Sequence, residues 1–327
     1  LNRSLESRML TYKNLPQIKP LVTYYQYKPY YYYNINNQKL VEYFLSLIKK
    51  ENIIFIIKDR DYILGAAVAV DLPWDSSIFR IKMAKISFLL AKEECFNSYD
   101  ITNKLLLNIL SFCREKNIRH ISCQVNTNET FLIHTLEKNR FKLVDTIIIY
   151  SIFLKNYGVE KINWNYVIRE ATNKDLLAMQ ELAGTAFFTP NIFLSRFYVD
   201  PLLRKKANNL YKEWLRNSFK GEQADIVFIV ENNNKSFGFI TCQLPKKKSI
   251  EILNKKIATV PLNAISSEFR AQGIYHQLVK HSLDWFKKQD VDWVEIKTQI
   301  VTLPVQRTWQ KLGGKLVSSY HTFHKEL

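Results

Sequence analysis

Read for the spacing of its apolar residues, the chain carries the same succession of elements twice: hairpin, strand, helix, strand, helix, strand. In the first pass a helix over 38–50 comes first, with Leu40, Val41, Phe44, Leu45, Leu47 and Ile48 at helical spacing. Short strands over 53–57 and 62–70 flank the turn Asp59-Arg60-Asp61, and a longer strand covers 79–90. A helix over 101–116 presents Leu105, Leu106, Ile109, Leu110 and Cys113 on one face; a strand (118–125), a helix (129–139) and a strand (142–154) complete the pass. After a polar connector, 155–163, a short strand ends at Val167 and helices cover 173–187 and 203–220. A hairpin, 225–230 and 236–244, turns at Glu231-Asn232-Asn233-Asn234. Strand 256–265, helix 273–288, strand 291–299, helix 304–312 and strand 313–323 follow. Strands alternating with helices imply an α/β sheet with crossover connections, and the repeated order implies two copies of one fold. The expectation is an α/β chain of two lobes, each a mixed, mostly antiparallel sheet flanked by helices, with domains over 1–160 and 161–327.

A chain of 327 residues is longer than a single hydrophobic core usually serves, which agrees with two lobes. Apolar residues make up 47% and charged residues 24%, the composition of a folded chain. No run reaches the roughly 18–20 apolar residues that cross a bilayer. The first thirteen residues are charged and lack the apolar centre of a signal peptide, so the expected location is the cytoplasm. Cys95, Cys113, Cys123 and Cys242 form no CxxC pair and the six histidines no HExxH array, so no metal is expected. The net charge of +17 suits an anionic ligand, a membrane surface or nucleic acid. It is spread along the chain, densest at Arg204-Lys205-Lys206, Lys246-Lys247-Lys248 and Lys255-Lys256, and no basic arm marks a nucleic-acid binder. The tyrosine-rich stretch 24–33 reads as a β-prone segment packed against its own domain.

The sharpest local signal runs from Leu262 to Tyr275, where a strand gives way to a short loop holding Arg270 and Gly273, and a helix begins. A helix N-terminus leaves backbone N–H groups unpaired and carries partial positive charge, so it receives phosphate oxygens well. Gly273 lets those oxygens approach the backbone, and Arg270 adds a planar cation.

Arg270-Ala271-Gln272-Gly273-Ile274-Tyr275 resembles the Arg/Gln-x-x-Gly-x-Gly/Ala coenzyme A loop of the GNAT superfamily of N-acetyltransferases. Further segments are similar to the dTDP-fucosamine acetyltransferases and the related dTDP-4-amino-4,6-dideoxyhexose N-acyltransferases. They are Leu72-Pro73-Trp74-Asp75-Ser76-Ser77-Ile78-Phe79, Phe197-Tyr198-Val199-Asp200-Pro201, residues 210–218, Gly238-Phe239-Ile240-Thr241 and Thr298-Gln299. Length and tandem layout are also similar to those of the acyltransferases of anthrose synthesis. The resemblance covers roughly 70–327 and implies two GNAT-like lobes. It further implies an acyl-CoA donor (acetyl-CoA or a larger acyl-CoA) and an amino sugar carried on a nucleotide, for surface glycan synthesis. Asn263, Ala264, Ile265 and residues Arg270, Ala271, Gln272, Gly273, Ile274 and Tyr275 then hold the donor. Trp74, Asp75, Ser76 and Tyr198 become contacts to the acceptor.

Two departures stand out. The last loop position, usually glycine or alanine, is Tyr275, and the family's proton-donating tyrosine is replaced by Trp309. An indole N–H donates a hydrogen bond but delivers no proton at neutral pH. The first lobe has no matching loop: residues 92–100 are acidic and lack glycine, which marks that lobe as a degenerate copy shaping the substrate cleft. Candidate proton acceptors are Asp75, His321, His324 and Glu268, with Asp75 equally readable as a turn former and the general base left open. His321 and His324, three apart on the last strand, point to opposite faces. A tRNA-dependent aminoacyl transferase of the Fem type and a non-catalytic acyl-CoA-binding protein are the alternatives, and monomer and homodimer both stay open. Because the Trp309 ring carries no proton in this scheme, Trp309→Phe keeps substantial turnover in a thiol-release assay; a folded but inactive variant contradicts the scheme.

Overall fold

The computed structural model describes residues 5–92, 98–158, 166–189, 192–193, 195–233 and 235–327. The chain divides into two compact units: 1–145 with 319–327, and 146–318.

The first unit contains β1 (Glu6–Leu10), α1 (Lys19–Tyr24), α2 (Asn37–Ser46), β2 (Ile53–Asp59), β3 (Tyr62–Asp71), α3 (Pro73–Phe79), β4 (Met83–Ala91), α4 (Ser98–Glu115), β5 (His120–Asn126), α5 (Thr130–Lys138) and the start of β6 (Lys142–Phe153). Its strands run antiparallel from β1 to β4, and β5 then lies parallel to β4. A parallel neighbour needs a crossover, and α4 supplies it. Ile101, Leu105, Leu106, Ile109, Leu110 and Cys113 form its buried stripe and pack on Ala67, Ala69 and Ile86. Alternate residues of the same strands, Ile54, Ile56, Ala66, Val68, Phe88 and Leu90, face Leu21, Val22, Val41 and Phe44 of α1 and α2.

Residues 146–318 hold the rest of β6, then β7 (Val167–Glu170), α6 (Leu176–Ala186), β8 (Phe188–Thr189), β9 (Ile192–Phe193), α7 (Arg196–Val199), α8 (Ala207–Phe219), β10 (Ile226–Asn232), β11 (Lys235–Cys242), α9 (Lys247–Leu253), β12 (Ile257–Val260), β13 (Asn263–Ile265), α10 (Ile274–Lys288), β14 (Trp293–Gln299), α11 (Leu303–Lys311) and the start of β15 (Lys315–Glu326). The order β13-β11-β10-β7 is antiparallel throughout. β14 lies between β12, to which it is parallel, and β6, to which it is antiparallel. α10 is the crossover, and its Ile274, Leu278, Val279, Leu283 and Phe286 join Phe228, Ile240, Ala258, Val294 and Ile296 in one core.

Duplication is written into the geometry of the two hairpins. Gly65 of β3 stands opposite Ile57, and a bulge follows at Ile57/Lys58; Gly238 of β11 stands opposite Val230, and a bulge follows at Val230/Glu231. Both glycines are dictated by close approach. A Cβ on Gly65 would come within 2.6 Å of Ile101 on α4, and one on Gly238 would overlap Ile265 of β13.

Four expectations are revised. The expected strand over 79–90 starts at Met83, because Pro73 opens a short helix that closes at Phe79 with Arg80 left-handed. The expected strand over 256–265 is interrupted: Thr259 meets Gln243 and Asn263–Ile265 meet Gly238–Ile240 with the register slipped by one residue around Pro261, and the pairing with β14 ends at Val260. The domain boundary expected at 160 also moves. Ile147–Phe153 pair along β14, and Tyr320–Glu326 pair along β5, so each fills a strand edge in the unit built mostly from the other half of the chain. The tyrosine-rich segment forms turns, and its rings pack edge-on, with Tyr27–Tyr31 centroids at 5.7 Å and Tyr31–Tyr32 at 5.2 Å. Among the described residues, no helix is long and apolar enough to cross a membrane.

In the second unit Arg169 clamps β7 to its neighbours. Its guanidinium donates to both oxygens of Asp175 at 2.9 and 3.0 Å and to Glu231 of β10 at 2.6 Å. These bonds, helped by those from Thr172, hold the Asp175 carboxyl down at about 2. A carboxyl depressed by folding stabilises above its unfolded pKa and loses that stabilisation as pH falls through its folded value. Asp175→Asn is therefore expected to cost about 1–2 kcal/mol at neutral pH in urea unfolding, allowing for solvent at Arg169. The difference from the unmodified chain closes as pH falls from about 4 toward 2. A gap that stays constant to the lowest pH contradicts the clamp.

Candidate functional site

The second unit builds its most distinctive feature where β12 ends. Over Ile257–Val260 that strand is hydrogen-bonded alongside Trp293–Ile296 of β14. Its other edge already meets the β11 strand, Thr259 bridging Gln243, and beyond Pro261 the chain keeps that pairing as β13 while β14 continues along β6 through Gln299. The two parallel strands thus part. β13 ends its own sheet, so its N–H groups directed away from β11 have no ladder partner in that sheet. The first unit repeats the arrangement: β4 and β5 pair only over Met83–Ile86 and His120–Cys123.

The loop leaving β13 is held from several directions. Ser266 N donates to Phe237 O at 2.8 Å, and Phe269 stacks on Phe237 with ring centroids 4.0 Å apart. Arg270 donates from Nε to Ile265 O at 3.1 Å and from Nη2 to Ala186 O, at the end of α6, at 3.2 Å. A guanidinium is favoured at the carbonyl end of a helix. Gln272 donates to Glu268 O at 3.3 Å and accepts from the Tyr166 hydroxyl at 3.2 Å. Ala271 and Gly273 have φ of 62° and 74°, left-handed positions that alternate with ordinary ones. Such alternation turns successive N–H groups toward one side, a concavity suited to anions. α10 then starts at Ile274 with no side chain capping its first turn. Among the described residues, and its own chain neighbours apart, no atom lies within 4 Å of a Cβ built on Gly273, so its backbone, not crowding, requires glycine.

This geometry fits a diphosphate through backbone N–H groups and the dipole of α10. It gives Arg270 a different part from the expected one: the cation shapes the loop by tying it to β13 and α6. Ile274 is buried in the core. Tyr275 turns toward α11, where its hydroxyl accepts a hydrogen bond from Trp309 Nε1 at 3.2 Å. Trp309 is fully buried. Burial pushes the Tyr275 phenol above its ordinary value, partly offset by the indole donor. Sequence reasoning missed this pair. Its signal was two departures together, a phenol where the resemblance wants a small residue and an indole where it wants a phenol.

Of the residues expected at the site, Asn263, Ala264, Ile265 and 270–275 come together in one unit. Trp74, Asp75 and Ser76 lie on α3 of the first unit. The Ser76 hydroxyl donates to Leu72 O at 2.6 Å and accepts from Met83 N at 3.0 Å, so it secures α3 to β4. Tyr198, expected as a substrate contact, is buried; its hydroxyl bonds to Asn208 Oδ1 at 2.7 Å and Gly184 O at 3.3 Å, an internal packing role. His321 and His324 pair along β5 in the first unit, opposite Val125 and Ser122. Their opposite faces are evident: His321 is half-buried near Phe323, and His324 is buried with its ring 4.5 Å from that of His120. Of the acidic stretch 92–100, residues 93–97 lie outside the described residues, Cys95 among them. So do 159–163 of the connector and Asn234 of the hairpin turn.

No known family profile matches the sequence. The spore coat polysaccharide biosynthesis protein SpsD of Bacillus subtilis (strain 168) is 24% identical over 151 residues. That match takes in 46% of this chain and 47% of SpsD, so the chain spans about half the length of the curated relative it matches. The fold is that of GCN5-related N-acetyltransferases. The Sphaerobacter thermophilus protein of that description superposes with a TM-score of 0.66 at 11% identity, covering 100% of this chain and 96% of that one. A tandem GNAT protein of the clavulanic acid biosynthesis pathway gives 0.59 at 10% identity over 99% and 98% of the two chains. The glucosamine N-acetyltransferase region of a fungal multi-domain β-N-acetylglucosaminidase gives 0.67 at 12% identity, over 99% of this chain and 38% of that one.

Gly273→Asp is expected to lower coenzyme A affinity at least about tenfold in calorimetric titration, since a carboxylate would face the diphosphate. Gly273→Ala, which shares the backbone strain of roughly 1–2 kcal/mol without the charge, loses less. Unchanged affinity in the aspartate variant overturns the loop assignment.

Proposed function

We propose that the chain is an acyl-CoA-dependent N-acyltransferase whose acceptor is the amino group of a nucleotide-linked amino sugar, such as a dTDP-4-amino-4,6-dideoxyhexose. The observation that carries the reading is the loop at Ala271 and Gly273, opening onto the uncapped N-terminus of α10 beside parted parallel strands. GNAT neighbours along the whole chain support acyl transfer. The distant likeness to a polysaccharide biosynthesis protein supports a sugar acceptor.

In this reading the N–H groups of 272–275 bind the donor's diphosphate, and the thioester, when bound, supplies an activated acyl carbon. The parted strand β13 turns an unladdered N–H from Asn263 or Ile265 toward the thioester oxygen and stabilises the charge that develops there. Arg270 acts one step removed, keeping the loop in register with β13 and α6. A neutral amine attacks the acyl carbon, with water and a modest base taking its proton. The net charge of +17 favours a polyanionic donor and an anionic nucleotide sugar alike.

A panel of amino sugars, free and nucleotide-linked, is offered with acetyl-CoA and with larger acyl-CoAs while thiol release is followed. Release is expected only with nucleotide-linked amines. Turnover of free amino sugars alone contradicts the acceptor, and coenzyme A binding without release from any amine contradicts acyl transfer.

A further inference from the structure

Departure of a thiolate calls for a proton, and the residue resembling the family's donor is an indole that has none to give. Near the mouth of the loop, the polar side chains are mostly tied up. Arg270 is bonded to two carbonyls, the Tyr166 hydroxyl is given to Gln272, and the Gln272 amide to Glu268. Tyr275 is placed differently. Its oxygen accepts from Trp309, which leaves its own O–H proton to donate, and among the described residues nothing accepts that proton. The phenol sits on the first turn of α10, two residues past Gly273, and reaches across to α11. It therefore lies between the helices that follow the two parted strands. His276, one residue on, points about 100° further round the helix axis.

We propose that Tyr275 is the proton donor to the sulfur that leaves during acyl transfer, with Trp309 as its positioning residue. This assignment rests on the acyl-transfer reading above. The amine nitrogen bonds to the acyl carbon, and the carbon–sulfur bond breaks with its electron pair passing to sulfur. The phenolic proton moves from Tyr275 Oη to that sulfur, giving the free thiol. The phenolate is held by the Trp309 N–H and regains, through solvent, the proton shed by the amine nitrogen. Burial disfavours the phenolate, and the indole hydrogen bond offsets part of that cost by favouring the anion.

The test uses the full chain, coenzyme A for binding, and acetyl-CoA with a dTDP-4-amino-4,6-dideoxyhexose for turnover. Tyr275→Phe, which keeps the ring, is expected to bind coenzyme A within about twofold of the unmodified chain, with KM little changed and kcat lowered about 100-fold. Trp309→Phe keeps the phenol and lowers kcat by less than about tenfold. The double variant Tyr275→Phe/Trp309→Tyr restores a phenol beside the same spot and recovers at least about tenfold over Tyr275→Phe, a rescue that a packing role does not produce. Turnover of Tyr275→Phe equal to that of the unmodified chain overturns this assignment alone. So does tighter coenzyme A binding by Tyr275→Ala than by the unmodified chain, because the ring would then be a plug. Absence of thiol release from the unmodified chain with every acceptor overturns the acyl-transfer reading, and this assignment with it.

Discussion

Two parallel strands that share hydrogen bonds over Ile257–Val260 and Trp293–Ile296 separate at Pro261, and the rest of the second unit is arranged around that separation. The chain keeps its pairing with the β11 strand on both sides of the proline, through Thr259 and Gln243 before it and Asn263–Ile265 after it, and loses only β14. A parallel sheet is ordinarily closed to ligands along its strands. Parting β13 from β14 leaves strand N–H groups unladdered and brings the chain out at the N-terminus of α10. Two sources of uncompensated backbone polarity then stand at one end of one unit, and both favour an anionic or carbonyl oxygen.

The loop between them owes its shape to contacts that never need touch a ligand. Phe269 stacked on Phe237, Ser266 bonded to Phe237 O, and Arg270 bridging Ile265 and Ala186 fix three successive points. Left-handed φ at Ala271 and Gly273 aims the amides. A site preorganised in this way binds oxygen without first ordering a flexible segment, which is where much binding energy would otherwise be lost. Arg270 looks like a ligand in the sequence because a cation beside a glycine loop suggests phosphate; the structure makes it a tie at the carbonyl end of a helix.

Much of the architecture is legible in the sequence because helix and strand periods are local. The apolar stripe Leu105, Leu106, Ile109 and Leu110 is a helix wherever it packs, and α4 matches it. The loop from Arg270 to Gly273 was legible for a similar reason, since its chemistry is written in consecutive residues. Long-range choices were not. Nothing local in Ile147–Phe153 or Tyr320–Glu326 says that each strand pairs in the unit built mostly from the other half of the chain. Nor does Tyr198 announce that its hydroxyl is taken by Asn208 and Gly184. Tyr275 and Trp309 were each read singly as a departure. Only the structure shows that the two side chains are hydrogen-bonded to each other. The glycine and bulge that recur at matching places in both hairpins, by contrast, show a repeat of local geometry that residue identity barely signals.

The account turns on where a thioester donor places its diphosphate. A crystal structure of the chain grown with acyl-CoA measures that directly. Phosphate oxygens are expected within hydrogen-bonding distance of the backbone N–H groups between Gln272 and Tyr275. Cofactor bound in the first unit, or bound anywhere with the Gly273 loop left untouched, would contradict it.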